Sequence, residues 1–263
     1  MKKQYIGVFD SGLGGLTTVS QIIEKLPEEN IVFLADTKHI PYGSKSREQI
    51  ISYTRDNIRL LQSYGLKAVV IACNTSDANA SDAVRKEFDL PIFGVLRPAS
   101  IKAYETSANK KIGLIATAST IASRRYEEEL LAIDPEISLY PAACPDLVPM
   151  IENGSFLTEK EAMEEKLREY IDPLVKEGID TLILGCTHYD ILSDLILGIY
   201  PQLKLVSSSR CVVFDLEAWL KEHGAEETGT KAERIYLASK DAEDYDRIAS
   251  CLIPGIKFKD TES

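Results

Sequence analysis

The chain has 263 residues, of which 44% are hydrophobic and 27% are charged, so it can bury a substantial core in one large domain or two smaller ones. It carries 41 Asp and Glu against 30 Lys and Arg, and this acidic balance, without a Lys/Arg-rich block, argues against nucleic acid as a partner. No apolar run approaches the roughly 20 residues that a membrane span requires. The five irregularly spaced cysteines do not resemble the disulfide framework of a small secreted domain, and we expect a cytoplasmic protein with reduced thiols.

Strand-like and helix-like segments alternate along the first half of the chain. Apolar runs predict strands at YIGVFD, NIVFLAD, KAVVIAC and LPIFGV. Helical spacing predicts helices at LTTVSQIIEKLPE, SREQIISYTRDNIRLLQSYG and SDANASDAVRKEF.

The second half shows the same alternation. Strands are predicted at KIGLIAT, EISLYPAA, DTLILGC and LKLVSSS, with helices at ASRRYEEELL, from about Thr158 to Glu177, and after DTLILGC. Continuous apolar strands separated by helices are typical of parallel sheets covered on both faces. The predicted fold class is therefore α/β.

An internal repeat relates the two halves. Residues 65–95 align without a gap on residues 178–208, and this shift of 113 residues places Cys73 on Cys186. The period is too long for a solenoid. We expect two similar α/β domains with one of these cysteines at the carboxyl end of a strand in each, where ligands bind in open parallel sheets.

Cys73 and Cys186 each end an apolar run, in VVIACNT and LILGCTH. A single cysteine is most often a small buried hydrophobe, but this setting occurs twice. Each thiol precedes a predicted helix N-terminus, whose dipole favours the thiolate and would lower the thiol pKa from about 8.5. Cys144, Cys211 and Cys251 lack this setting and are predicted to be packing residues.

Two equivalent thiols in facing halves suit proton transfer at a stereocentre. One group removes a proton from a carbon and the other returns a proton to the opposite face, which racemises or epimerises the substrate. The α-proton of an amino acid is only weakly acidic, so such a site needs preorganised donors and must exclude water. This scheme demands no cofactor.

Other polar residues lie in motifs near the predicted strand ends. DSGLGG, from Asp10 onwards, either supplies N–H groups that bind an anion or position a base, or is only a tight turn. PYGSKS is predicted to be a loop over the mouth of the cleft. His188 lies two residues after Cys186, where a proton-tuning role is expected, and Glu152 is predicted to lie in a loop-like stretch.

The motifs GVFDSGLGGL, PYGSKS, CNT, GVLRPA, MIENG and LGCTHY, in this order, resemble those of the glutamate racemases of the aspartate/glutamate racemase superfamily. The resemblance covers most of the chain. It implies cofactor-independent interconversion of L- and D-glutamate, which supplies D-glutamate for bacterial peptidoglycan, and it implies no metal.

The resemblance also implies roles for particular residues. Cys73 and Cys186 would be the proton donor and acceptor, with Asp10, His188 and Glu152 as assisting catalytic groups. The substrate-binding positions that it implies are Asp10, Ser11, Tyr42, Gly43, Asn74, Thr75, Thr187 and His188. Two residues depart from the family pattern, because Asp77 and Asp190 stand where the family usually has a small residue and proline.

Several other functions remain open from the residues. An aspartate racemase would share both thiols, and comparing turnover of the two amino acids would distinguish it. GLGG after a strand allows a nucleotide site, although Thr17 occupies the last glycine position of that motif. Cys186 with His188 allows a Cys-His hydrolase, but this leaves Cys73 unexplained. A zinc site lacks a second ligand pair, and a non-catalytic binding protein remains if the thiols are inert.

We expect residues 1–96 with 208–263 to form a first, discontinuous domain and residues 97–207 to form a second. The active site is expected in the cleft between them, with GVLRPA and SSS as the two crossings. We hypothesise that a hinge at these crossings opens and closes the cleft. The predicted partners are glutamate as substrate and a second copy of the chain in a homodimer, with no nucleic acid or membrane.

Overall fold

The structure is a computed structural model that describes residues 3–229 and 231–261, apart from the side chains of residues 244, 247, 248 and 251. The predicted packing role of Cys251 therefore lies outside the described side chains.

The described residues form ten strands and twelve α-helices. The strands are β1 (Tyr5–Asp10), β2 (Ile31–Ala35), β3 (Leu66–Ile71), β4 (Ile92–Gly94), β5 (Lys111–Ala116), β6 (Ser138–Ala143), β7 (Thr181–Gly185), β8 (Lys204–Ser207), β9 (Arg234–Ala238) and β10 (Lys259–Asp260). The helices are α1 (Leu16–Lys25), α2 (Arg47–Gln62), α3 (Asn74–Glu87), α4 (Leu96–Thr106), α5 (Ala118–Ser123), α6 (Arg125–Ile133), α7 (Leu147–Glu152), α8 (Ser155–Thr158), α9 (Lys160–Lys176), α10 (Ser193–Ile199), α11 (Ser208–Glu222) and α12 (Ala242–Leu252). Short 3₁₀ turns cover Leu13–Gly15, Tyr42–Ser44 and Thr187–Leu192.

The strands form two parallel sheets. The first sheet has the order β10-β9-β2-β1-β3-β4, and the second has the order β6-β5-β7-β8. All of the strand pairs are parallel. The predicted fold class, two parallel-sheet α/β domains, is confirmed.

Helices cover both faces of each sheet, which explains why the strands are continuous apolar runs. In β1, Ile6 and Val8 face a core shared with α1, α11 and α12, whereas Phe9 faces the core beneath α2 and α3. This alternation follows from the two-residue period of a strand. The second sheet packs α7, α9 and α10 on one face and α4 and α6 on the other.

The internal repeat extends to the order of the strands. The order β2-β1-β3-β4 in the first sheet matches β6-β5-β7-β8 in the second, and the shift of 113 residues brings β3 onto β7 and β4 onto β8. β9 and β10 extend only the first sheet, beside β2. Chain segments on both sides of the second sheet therefore contribute to the first sheet, and the predicted domain limits stay a prediction.

Two local features differ from the sequence expectations. The helix predicted over ASRRYEEELL is two helices, because Arg124 adopts a left-handed conformation with φ of 58° between α5 and α6. The GVLRPA segment, expected only as a crossing, begins a full helix, α4, which leads from β4 to the second sheet. None of the described helices is both long and apolar enough to span a bilayer.

Replacing Ile183 with Ala should lower the free energy of unfolding by about 2–5 kcal/mol, because this side chain is fully buried in β7 and its loss leaves a cavity. Urea unfolding measures the change. As a control, Leu157→Ala should change the free energy by less than about 0.5 kcal/mol, because Leu157 is 59% exposed. Equal losses in the two variants would contradict the assigned core.

Candidate active site

Cys73 and Cys186 line the same cavity, whose volume is about 250 Å³. Cys73 is the N-cap residue of α3, just after β3, and Cys186 follows β7 directly and precedes the 3₁₀ turn. Parallel strands place their carboxyl ends at one edge of a sheet, and here the two edges meet. Both cysteines are almost fully buried, with 4% and 6% of their surface exposed.

Nine of the eleven residues predicted for the site line this cavity. They are Ser11, Tyr42, Gly43, Cys73, Asn74, Thr75, Cys186, Thr187 and His188. Asp10 and Glu152 are not among the lining residues and contact the site through neighbouring groups. Glu152 is the last residue of α7, so the expectation that it lies in a loop was wrong.

Asp10 connects the two sheets behind the cavity wall. It ends β1 and is fully buried. One of its carboxylate oxygens accepts a hydrogen bond from the Gly12 N–H at 2.9 Å, and the other accepts from the Thr187 hydroxyl at 3.1 Å. Asp10 therefore holds the turn after Cys186 against the end of β1.

His188 links Cys186 to Glu152. Its Nδ1 lies 3.7 Å from the Cys186 sulfur, and its Nε2 lies 2.6 Å from Oε1 of Glu152. The same Glu152 oxygen accepts a hydrogen bond from the Leu13 N–H at 3.2 Å. The carboxylate thus orients the imidazole beside the thiol and also binds the turn after β1.

The DSGLGG segment packs tightly against the CTH segment. A Cβ atom at Gly14 would collide with His188 and Thr187, so only glycine allows this close approach. The N–H groups of Gly12 and Leu13 already donate to protein carboxylates. Of the two roles considered for this motif, positioning of protein groups therefore has structural support, and anion binding by these two N–H groups does not.

Several predicted binding side chains have their polar atoms engaged by protein partners. The Tyr42 hydroxyl donates to Asp36, and the Thr75 hydroxyl lies 2.9 Å from the Thr117 hydroxyl. The Asn74 amide donates to Ser208 at 2.9 Å and accepts from Tyr126 at 2.6 Å. These contacts fix the cavity wall before any ligand binds.

Nine residues outside the predicted site also line the cavity, although two of them, Pro41 and Ser44, belong to PYGSKS, which was expected over its mouth. They are Ile40, Pro41, Ser44, Thr117, Ala118, Cys144, Pro145, Val148 and Pro149. Cys144, expected to be only a packing residue, is buried and also lines the cavity because it follows the carboxyl end of β6. The apolar run that ends at Cys144 was the available signal, since Cys73 and Cys186 also follow strand ends. Cys211 is not among the residues lining this cavity.

The electrostatic setting of Cys73 differs from the expected one. Burial raises the pKa of the Cys73 thiol to about 11, and the negative charge of Asp10 adds to this increase. The expectation that the helix N-terminus would lower this pKa was wrong, because burial in an apolar setting disfavours the thiolate more than the helix dipole favours it. Donors to the thiolate, namely the main-chain N–H and hydroxyl of Ser76 and the Ser11 hydroxyl, whose oxygen lies 3.6 Å from the sulfur, only partly oppose this increase in pKa.

The surroundings of His188 favour its protonated form, whereas those of Cys73 disfavour the thiolate. Burial lowers the pKa of His188, but contacts with Cys186 and Glu152 outweigh burial and raise this pKa well above its ordinary value. Burial raises the pKa of Asp10, and the nearby His188 opposes this effect. One thiol therefore lies near a carboxyl group, and the other lies beside an imidazole whose pKa is raised.

Within residues 3–229 and 231–261, no group of three or more His, Cys, Asp or Glu side chains is arranged to hold a metal ion. The expected absence of a cofactor stays a prediction.

Alkylation of Cys73 by iodoacetamide should accelerate about tenfold per pH unit between about pH 8 and 10, because only the thiolate reacts and its pKa is about 11. In Asp10→Asn the reaction should be faster at each pH, since the variant removes the nearby negative charge. Mass spectrometry of the Cys73 peptide measures the rate, with the exposed-site variant Asp82→Asn as a control. A rate that does not depend on pH, or slower alkylation in Asp10→Asn, would contradict this electrostatic assignment.

Comparison with known proteins identifies the family. Residues 8–213 match the family described as Asp/Glu/Hydantoin racemase. The glutamate racemase of Sulfurihydrogenibium sp. is 40% identical over 98% of this chain and 96% of its own length. A glutamate racemase isoform from Bacillus anthracis has a crystal structure that superposes with a TM-score of 0.95 at 32% identity, over 100% of this chain and 98% of that one. The glutamate racemase from Francisella tularensis, solved in complex with D-glutamate, has a TM-score of 0.91 at 30% identity with the same coverage. The chain therefore belongs to the Asp/Glu/Hydantoin racemase family, and it is an isomerase of the glutamate racemase group.

Proposed function

We propose that this isomerase interconverts L- and D-glutamate by a two-base reaction in which Cys73 and Cys186 exchange protons with the α-carbon. The single observation that carries the proposal is that both thiols line one cavity although they belong to different sheets. The relatives named above are glutamate racemases, and one of them was solved with D-glutamate bound.

The proposed reaction balances without an external reagent. In one direction, the thiolate of one cysteine takes the α-proton and becomes a thiol, which leaves a carbanion on the substrate. The thiol of the other cysteine then donates its proton to the opposite face of the carbanion and becomes a thiolate. The reverse reaction exchanges the two roles, so each enantiomer meets a different base.

The groups beside each sulfur support a division of tasks. His188, oriented by Glu152, lies beside the Cys186 sulfur, where its ring nitrogen can exchange a proton with that sulfur. Burial, with the negative charge of Asp10 as a second cause, raises the pKa of Cys73 and so favours a proton on that sulfur. In this proposal the unliganded enzyme holds Cys73 as the thiol, ready to donate, and turnover in the other direction requires Cys73 to lose its proton.

The cavity wall favours recognition of an amino acid by neutral donors. The described lining residues include no Lys or Arg, and His188 is the lining side chain that can carry a positive charge. Ser11 and the main chain at Gly43 and Thr75 supply hydroxyl and N–H groups for carboxylates. The lining also contains Ile40, Val148 and other apolar side chains, which exclude water from the carbanion.

The test is racemisation of glutamate in deuterated water. The wild-type protein, without added cofactor, should change the circular dichroism of either enantiomer to zero and place solvent deuterium at the α-carbon. Cys73→Ser and Cys186→Ser should each lower the rate by at least about 10²- to 10⁴-fold, because each variant loses one acid/base group.

Cys211→Ser is the matched control, because Cys211 is a buried cysteine outside the cavity lining. It should keep nearly the wild-type rate. Racemisation that persists equally in Cys73→Ser and Cys186→Ser would refute the two-base reaction. Faster turnover of aspartate than of glutamate would refute the substrate assignment while leaving the thiol chemistry intact.

The cellular setting is part of the same proposal. We place the protein in the cytoplasm, where it supplies D-glutamate for peptidoglycan, and we propose the domain division of residues 1–96 with 208–263 and residues 97–207. The sheet membership of the strands supports this division, because β1–β4, β9 and β10 form one sheet and β5–β8 form the other.

The proposed homodimer is supported by exposed apolar side chains. Ile101, Leu197 and Phe214 are 38%, 39% and 54% exposed and line one groove, and apolar surface of this kind marks protein interfaces. Sedimentation velocity should give the mass of a dimer, and Phe214→Glu should shift the protein towards the monomer. A wild-type protein that is monomeric at micromolar concentration would contradict the homodimer.

A further inference from the structure

Two buried acids occupy equivalent positions in the two halves. Asp77 lies four residues after Cys73, and Asp190 lies four residues after Cys186, so the shift of 113 residues that superposes the cysteines also superposes the acids. Asp77 is 5% exposed, and both carboxylate oxygens of Asp190 are buried. The proposed proton transfer uses neither of them.

Asp77 joins the helix that begins at Cys73 to the first crossing between the sheets. Its Oδ2 accepts a hydrogen bond of 2.8 Å from the main-chain N–H of Leu96, the first residue of α4. Its other oxygen lies against Gly94, where a Cβ atom would collide with the carboxylate. The main-chain N–H of Asp77 in turn donates to the carbonyl oxygen of Cys73 at 2.9 Å.

Asp190 occupies the corresponding place at the return crossing. Its carboxylate lies beside the hydroxyls of Ser207 and Ser209, at the start of α11. Under the same shift, Ser207 and Ser209 correspond to Gly94 and Leu96.

The Asp190 contact is electrostatic, since its oxygens have no hydrogen-bond partner of ordinary geometry within the described part of the chain. Ser207 itself caps α11 by accepting from the Arg210 N–H at 3.1 Å. The helix N-terminus still favours a negative charge close to it.

The two crossing helices connect these acids to one another. α4 and α11 pack against each other, so each acid links the turn that follows one thiol to a shared pair of helices. Burial raises the pKa of both carboxyl groups, to about 6 for Asp190. Burying two carboxyl groups costs folding free energy, and at each site the acid lies where it can fix the turn that carries a cysteine.

We propose that Asp77 and Asp190 are matched positioning residues, each of which sets the position of the cysteine four residues before it relative to the crossing helices. This inference rests on the proposed two-base function. Each acid acts through one cysteine, so each affects removal of the proton from one enantiomer.

The test uses α-deuterated L- and D-glutamate with Asp77→Ala and Asp190→Ala. The two enantiomers have equal free energy, so kcat/KM must be the same for L- and D-glutamate in every variant. Comparing kcat/KM between the enantiomers therefore cannot show which cysteine is displaced. The isotope effects on kcat/KM do carry information. Displacing one cysteine makes its own proton transfer more rate-limiting, which raises the isotope effect for the enantiomer it deprotonates and lowers the effect for the other.

We expect each alanine variant to lose about 10- to 100-fold in kcat/KM, the scale of a displacement near 1 Å. The isotope effect should rise with one enantiomer in Asp77→Ala and with the opposite enantiomer in Asp190→Ala. Asp77→Asn keeps an oxygen that can accept from Leu96, and it should restore most of the rate and the wild-type isotope effects. Asp82→Ala, which changes an exposed acid on the same helix, should leave both quantities unchanged.

Thermal unfolding identifies any variant that is not folded, and Asp77→Ser and Asp190→Ser replace alanine variants that fail this check. The positioning role would be overturned if the isotope effects changed in the same direction for both enantiomers, or if they stayed constant while kcat/KM fell. A wild-type protein that does not racemise glutamate would instead remove the proposed function and this inference with it.

Discussion

The hydrogen bond from the Thr187 hydroxyl to Asp10 joins the ends of two strands that belong to different sheets. Glu152 strengthens the same junction, because one of its oxygens contacts both the Leu13 N–H and His188. These buried polar contacts hold the carboxyl edges of the two sheets against each other. Without that closure, the cysteines at the two strand ends would face separate edges open to solvent and would not line one cavity.

The repeat makes the two thiols equivalent along the chain, but their surroundings are not equivalent. β1 ends at Asp10, whereas β5, its counterpart in the second sheet, ends at Ala116. Only Cys73 therefore has a carboxylate from the neighbouring central strand close to it, and that carboxylate raises its pKa. Cys186 instead has the imidazole of His188 beside it. The duplicated framework therefore places different polar groups beside the two thiols.

Asp77 and Asp190 lie where the chain crosses between the two sheets. Asp77 holds the start of α4, and Asp190 lies at the start of α11. Asp77 thereby connects the first crossing to the turn that carries Cys73, and Asp190 lies beside the return crossing, four residues after Cys186.

The sequence was enough to predict the α/β class, nearly all of the strands and the equivalent positions of Cys73 and Cys186, because apolar periodicity and an ungapped repeat can be read along the chain without knowledge of any contact. Tertiary structure alone decided that Glu152 reaches both His188 and the turn after β1. It also decided that Cys73 has a raised pKa, in place of the lowered pKa that its position before a helix suggested. The reason is that burial and charge are set by groups far apart along the chain, such as Asp10 and Thr187, and their distances exist only once both sheets have formed and closed on one another.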